Sequence, residues 1–212
     1  MKIDIAIEAA PKKSFATAVD WPGWSRSGKT EELAIEALVA YAGRYASVAR
    51  LAGEAFDPTK TPDVDVVDRT AGDGATDFGV PGAVTNPDRR PTTAADADRL
   101  ARLVDAAWRT FESVAGTAPE ELRKGPRGGG RNTSKVIEHV RGADEGYARQ
   151  IGIKLKAPVE EIRAAVLEAL RAPSDGAPIA DRRWTARYAA HRIAWHALDH
   201  AWEIEDRSEP GD

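Results

Sequence analysis

Cysteine is absent from the 212-residue chain, which excludes a disulfide framework, thiolate metal ligands and a cysteine nucleophile. Any thiol chemistry must therefore draw its sulfur from a cosubstrate. No stretch approaches the roughly 20 apolar residues of a membrane span, and residues 1–10 lack the apolar core of a signal peptide. The expectation is a cytoplasmic protein with no membrane partner. Neither sign of charge dominates, since 30 basic residues against 34 acidic ones leave a net charge of −4. That balance argues against a nucleic-acid partner, because phosphate binding needs a concentrated basic face. Hydrophobic residues make up 42% of the chain, enough to give one large or two small domains a core.

Histidine is scarce as well, and its placement is informative. Of the four histidines, His196 and His200 lie four residues apart in the strongly helical stretch 184–207. Four residues advance a helix by about 400° and roughly 6 Å, so both imidazoles share one stripe, with Glu203 following. A third, His139, lies in another helical stretch, 134–150. Its neighbours at i+3, i+4 and i+7 are Gly142, Ala143 and Gly146, a stripe of little bulk that suits the border of a cavity. Three neutral imidazoles from two helices can hold a divalent metal and leave positions open for water or substrate. The competing account of a lone i,i+4 histidine pair is ordinary packing. His191 lies about 140° around the helix from His196 and falls outside the ligand set. Glu203 and Glu138 are the candidates to accept a ligating histidine's second ring N–H or to act as a base, with helix-face salt bridges as the alternative.

One helix with a single histidine, followed by a late helix with His196-x-x-x-His200 in about 115 residues, resembles the DinB/YfiT-like family of metal-dependent enzymes. The resemblance implies a four-helix bundle with a long crossover and a metal triad of His139, His196 and His200. It also implies zinc or nickel as the ion, and transferase or isomerase chemistry with a low-molecular-weight thiol of the mycothiol or bacillithiol type; Glu203, from its place on the histidine stripe, is the candidate catalytic residue. A small-molecule substrate is expected, and hydrolysis through a metal hydroxide is the second enzymatic option.

Residues 2–8 alternate with period two, Ile3, Ile5 and Ile7 facing one way, and residues 14–20 read as a second strand, together a hairpin. Residues 25–29 read as a polar turn. Thr30 caps a helix running to about residue 51, with Glu31 and Glu32 at its positive end. The run Phe15-Ala16-Thr17-Ala18-Val19-Asp20-Trp21-Pro22-Gly23-Trp24, followed by Gly28-Lys29-Thr30-Glu31-Glu32-Leu33-Ala34, resembles a HicB-like domain. That family implies a small ββαβ module typical of antitoxins. Here no DNA-binding segment follows, so a scaffold or dimerisation role, giving a homodimer as one assembly, is favoured over regulation. Val64, Val66 and Val67 suit the module's third strand. Asp73 and Gly74 read as a hairpin turn, with residues 75–78 returning.

The expected organisation is therefore α+β. A HicB-like module spans residues 1–78, a linker 79–91 and a DinB-like four-helix bundle 92–208. Thr93 is expected to cap the bundle's first helix, with Asp96 in its first turn. In the Gly-rich connection 124–132, Arg127 and Arg131 stand beside a flexible backbone at a helix N-terminus and are candidate substrate-binding residues for a carboxylate or other anion. The alternative is a loop with solvated arginines. Pro158 is expected at the first position of a short helix. A non-catalytic alternative makes the bundle structural and the first module a partner-recruiting surface. It predicts a filled centre beside His139.

Overall fold

A computed structural model describes residues 1–124 and 130–208. Its fold is mixed α+β. The sheet has the order β3-β2-β1-β4, built from β1 (Lys2–Ala9), β2 (Ser14–Ala18), β3 (Ser25–Gly28) and β4 (Asp63–Ala71). β2 runs antiparallel to both β1 and β3, and β4 lies parallel to β1. Between β3 and β4 the chain crosses over through α1 (Glu31–Ala40) and α2 (Ala42–Leu51), as a parallel pair requires. The helices that follow are α3 (Gly74–Phe78), α4 (Ala94–Thr117), α5 (Thr133–Gln150), α6 (Val159–Leu170) and α7 (Ala186–Ser208). None among the described residues is long and apolar enough to cross a membrane.

Both faces of the central strands are covered. Ile5 and Ile7 pair with Ala18 and Ala16 and join a buried cluster with Leu38, Tyr45 and Val48 from α1 and α2. On the opposite face Phe15 meets Trp195 of α7 edge to face, with ring centroids 6.0 Å apart. Four helices close a second layer: α4 packs on α6 and α7, and α5 packs on the same two. One hydrophobic cluster runs through both parts, from Ile3 and Trp24 to Leu103, Leu198 and Ile204. The segment 79–91 is more than a surface linker. The Glu8 carboxylate, 4% exposed, accepts from the Gly82 and Ala83 amides at 3.0 Å, and the Thr185 hydroxyl donates to the Asp88 carbonyl at 2.7 Å.

Several local expectations hold. Thr30 accepts from the Leu33 amide, and Thr93 and Asp96 form a reciprocal capping box. Others are corrected. Residues 25–28 form strand β3 rather than a turn, so the first module reads βββααβ. The expected single helix to residue 51 breaks at Tyr41 (φ −87°, ψ 1°). Asp73 caps α3 instead of turning a hairpin, its carboxylate accepting from the Ala75 amide at 2.7 Å. Pro158, with a non-helical ψ of 150°, is the N-cap of α6 and not its first helical residue.

Candidate metal centre

His139 is carried by α5, whose N-terminus is capped by Asn132 accepting from the Lys135 amide at 3.2 Å. His196 and His200 are carried by α7, held at its start by Thr185, whose hydroxyl accepts from the Tyr188 amide at 3.2 Å. Packing of α5 against α7 brings the three rings together. Their centroids are 5.0 Å (His139–His196), 4.9 Å (His139–His200) and 4.7 Å (His196–His200) apart. One ring nitrogen from each lies within 4.8 Å of the others. The Nε2 atoms of His139 and His196 are 3.2 Å apart. Two nitrogens bound tetrahedrally at zinc distances of 2.0–2.1 Å would be about 3.3 Å apart. The rings therefore stand close to the separation that a shared ion imposes.

The outer contacts define the tautomer of His200. Its Nδ1 lies 2.8 Å from Glu203 Oε2. A carboxylate can only accept, so Nδ1 carries the proton and Nε2 keeps its lone pair. Glu203 Oε1 in turn accepts from Arg207 Nη1 at 2.8 Å. The His200 hydrogen bond, reinforced by Arg207 and opposed by burial, holds the Glu203 carboxyl below the usual carboxylate range. Arg207 is 9% exposed and also donates to the backbone carbonyls of Arg123 and Arg131, at 2.7 and 2.8 Å. It thereby pins both flanks of the Gly-rich connection to the end of α7. Gly130 lies against this guanidinium, with a Cβ there falling 2.3 Å from Arg207 Nη2.

Burial keeps two of the rings neutral. His196 is 7% exposed, and burial first, with His200 and Arg192 behind it, pushes its pKa down to about 2. His139 is lowered too, by burial and then by His200 and Arg131. Neutral imidazoles with free lone pairs are the form that binds a metal.

Solvent reaches the triad's surroundings on two sides. One groove of about 520 Å³ is lined by Arg131, Lys135, Glu138, His139, Gly142 and Ala143. A Cβ added at Gly142 or Gly146 would meet nothing within 4 Å, so the low-bulk stripe beside His139 faces open space and not a filled centre. The other groove, about 590 Å³, includes Arg26, Lys124, Trp202, Glu203 and Arg207.

Of the residues singled out from sequence, His139, His196, His200 and Glu203 converge, and Arg131 lies on the groove beside His139. Arg127 lies outside the described residues. Glu138 is exposed and bonds Lys135 at 2.6 Å, which is the helix-face salt bridge. His191 stays out of the triad, its Nε2 2.9 Å from the Val19 carbonyl. Sequence reading missed Tyr147, whose ring stands edge-on to His196 at 5.4 Å, and Arg192, whose guanidinium lies 5.2 Å from the Tyr147 ring centre. It also missed Arg207. Spacing could have found the two arginines, since Arg192 precedes His196 by four and Arg207 follows Glu203 by four.

No protein-family model, curated protein or solved structure matches the chain. The reading of the site therefore stands on its geometry.

Proposed function

We propose that the chain is a DinB-like metal-dependent enzyme in which His139, His196 and His200 hold a divalent ion such as zinc or nickel. The observation that carries this reading is the convergence of three ring nitrogens from two helices, with Glu203 behind one ring and open grooves alongside. A bound divalent ion would supply Lewis-acid activation of a water or of a thiol sulfur. The chain's own residues prepare for it. Glu203 holds the Nδ1 proton of His200, fixes that ring's orientation and makes its Nε2 more basic. With both oxygens engaged it is a positioning residue rather than a base. Arg207 keeps Glu203 in place. Arg131, at the rim of the groove beside His139, receives an anionic group of the substrate or cosubstrate.

Thiol transfer is the leading chemistry and hydrolysis the second. In the first case the sulfur belongs to a low-molecular-weight thiol, since the chain has no cysteine. The sheet module serves as a scaffold, covering one flank of α7. The test is the metal content of untagged protein beside the His196→Ala, His200→Ala double variant. About one divalent ion per chain, lost in the variant, is the expected result. Absence of binding by both proteins when zinc and nickel are supplied would sink the proposal.

A further inference from the structure

Arg192 stands one turn before His196 on α7, and a four-residue step keeps both side chains on one stripe of the helix, about 6 Å apart along its axis. Its guanidinium lies 5.2 Å from the ring centre of Tyr147 and 4.7 Å from that of Trp195. The Tyr147 ring in turn stands edge-on to His196 at 5.4 Å. One tyrosine thus links the arginine to the triad.

A missing counter-charge sets Arg192 apart. The other arginines that are buried or half-buried among the described residues are Arg26, Arg44, Arg99, Arg163, Arg187 and Arg207, and each pairs with a carboxylate. Arg192 is half-buried and pairs with none among the described residues. The two aromatic rings hold its guanidinium in place but leave its charge uncompensated and its N–H groups unspent. Of its three nitrogens only Nη1 is enclosed without a partner, and the other two stay accessible. A charge that is partly desolvated and unpaired is costly, and a ligand that brings an anion removes the cost.

The surroundings decide from which side that anion comes. Towards the sheet, Arg192 borders a cavity of about 30 Å³ whose lining includes Glu8 and Asp88. It has room for a water or two, and its two carboxylates repel an anion. The triad's side is electrostatically opposite. Behind burial, the charges that hold His196 neutral are His200, Arg192, His139 and Arg131, with no carboxylate among them. Glu203, the carboxylate nearby, is engaged by His200 and Arg207. We propose, on the basis of the metal-centre reading above, that Arg192 is the anion anchor of that centre and that the substrate is an acidic molecule. One of its groups sits on the ion, and a carboxylate about one helical turn along α7 sits on the Arg192 guanidinium, the chain between them passing the Tyr147 ring.

The test loads the full-length, metal-free protein with cobalt(II), whose visible absorption reports a ligand entering its coordination shell, and titrates it with glutarate and with valerate. The two acids have chains of equal length and can put the same group on the ion. Only glutarate has a second carboxylate for Arg192. Glutarate should bind about tenfold or more tightly than valerate, the value of a hydrogen bond between charged groups. In Arg192→Gln the protein should still take up cobalt and bind valerate, and the preference for glutarate should disappear. Equal affinities in the unaltered protein would overturn the inference and leave the metal reading intact. So would a preference that survives in Arg192→Gln and is lost in Arg131→Gln. Absence of cobalt uptake would sink the metal reading, and this inference with it. Should Arg192→Gln not fold, Arg192→Lys replaces it, which keeps the charge without the forked geometry. A reduced preference is then expected, and an unchanged one would count against the anchor.

Discussion

Glu203 divides its two oxygens between His200 and Arg207, and this division sets what its replacement should do. Glu203→Gln keeps the shape and removes the charge that orients the ring. Metal affinity, measured by competition with a chromophoric chelator, should fall about 10- to 100-fold while the fold persists. An unchanged affinity would show that the carboxylate is a bystander. The buried rings predict a pH dependence. His191 and His196 have folded-state pKa values below the ordinary 6.5, so they stay neutral in the fold and take up protons once unfolded. The stability they contribute is complete above pH 6.5 and is lost as the pH falls below it, by about 1.4 kcal/mol per pH unit per ring. Urea unfolding of the metal-free protein at pH 7.5 and 5.5 measures this, and His196→Gln should make the slope shallower. Helical spacing made the shared stripe of His196 and His200 legible in the sequence, whereas the convergence of His139 on that pair was implied only by the resemblance to a helical bundle. The roles of Arg192 and Arg207 were not legible, because each depends on a partner that only the tertiary fold supplies: the Tyr147 and Trp195 rings for one, the carbonyls of Arg123 and Arg131 for the other.

At the scale of elements, α5 is positioned by a polar cluster on the side away from the triad. Asp144, 3% exposed, accepts from Trp108 Nε1 at 3.1 Å and from Arg163 Nε at 2.8 Å, and Arg163 also reaches Glu112 at 2.7 Å. These contacts join α4, α5 and α6. Burial raises the Asp144 carboxyl above its ordinary range, although Arg163 and Trp108 oppose the shift. Asp144→Ala leaves the Arg163 charge and the Trp108 N–H short of a partner and should cost about 3–5 kcal/mol by urea unfolding. Loss below about 1 kcal/mol would mean that α5 is held by its apolar face alone. The element boundaries missed from sequence share a cause. β3 reads Ser-Arg-Ser-Gly, with no apolar alternation, and is a strand only because its backbone pairs with β2. The break at Tyr41 lies within a continuous apolar stripe. What distinguishes that position is external: the Tyr41 ring packs against Trp202 at 5.0 Å, with the Arg26 guanidinium 4.0 Å from its centre.

Over the whole molecule, the division into a sheet module and a helical part matches the order of the sequence, but the core is shared. Phe15 packs on Trp195 and Tyr41 on Trp202, while Arg26 pairs with Asp199 at 2.9 Å. A fragment covering residues 92–208 would expose Leu198, Trp195 and Trp202 to water, and burying such side chains is worth roughly 1.5–3 kcal/mol each. The fragment should therefore fail to fold on its own. The full chain should unfold in one transition, with tryptophan fluorescence and far-ultraviolet circular dichroism giving coincident denaturation curves. Two separated midpoints would show that the parts fold independently.

The turn between β2 and β3 meets α7 at Gly23, whose φ of +89° suits glycine and whose missing side chain leaves no gap, since a Cβ there would lie 2.7 Å from Leu198 Cδ1 and 3.0 Å from Ala194 Cβ. Ala194 and Leu198 bracket His196 on the same helix, so the turn rests on the stretch of backbone that presents this ring to the triad. If the triad binds an ion, rigidity gained by α7 would pass to this turn through the Gly23 contact. Amide hydrogen exchange at Trp21, Gly23 and Trp24 should therefore slow when zinc is added, although no atom of these residues belongs to the ligand set, and the sheet would act as a remote gauge of metal occupancy.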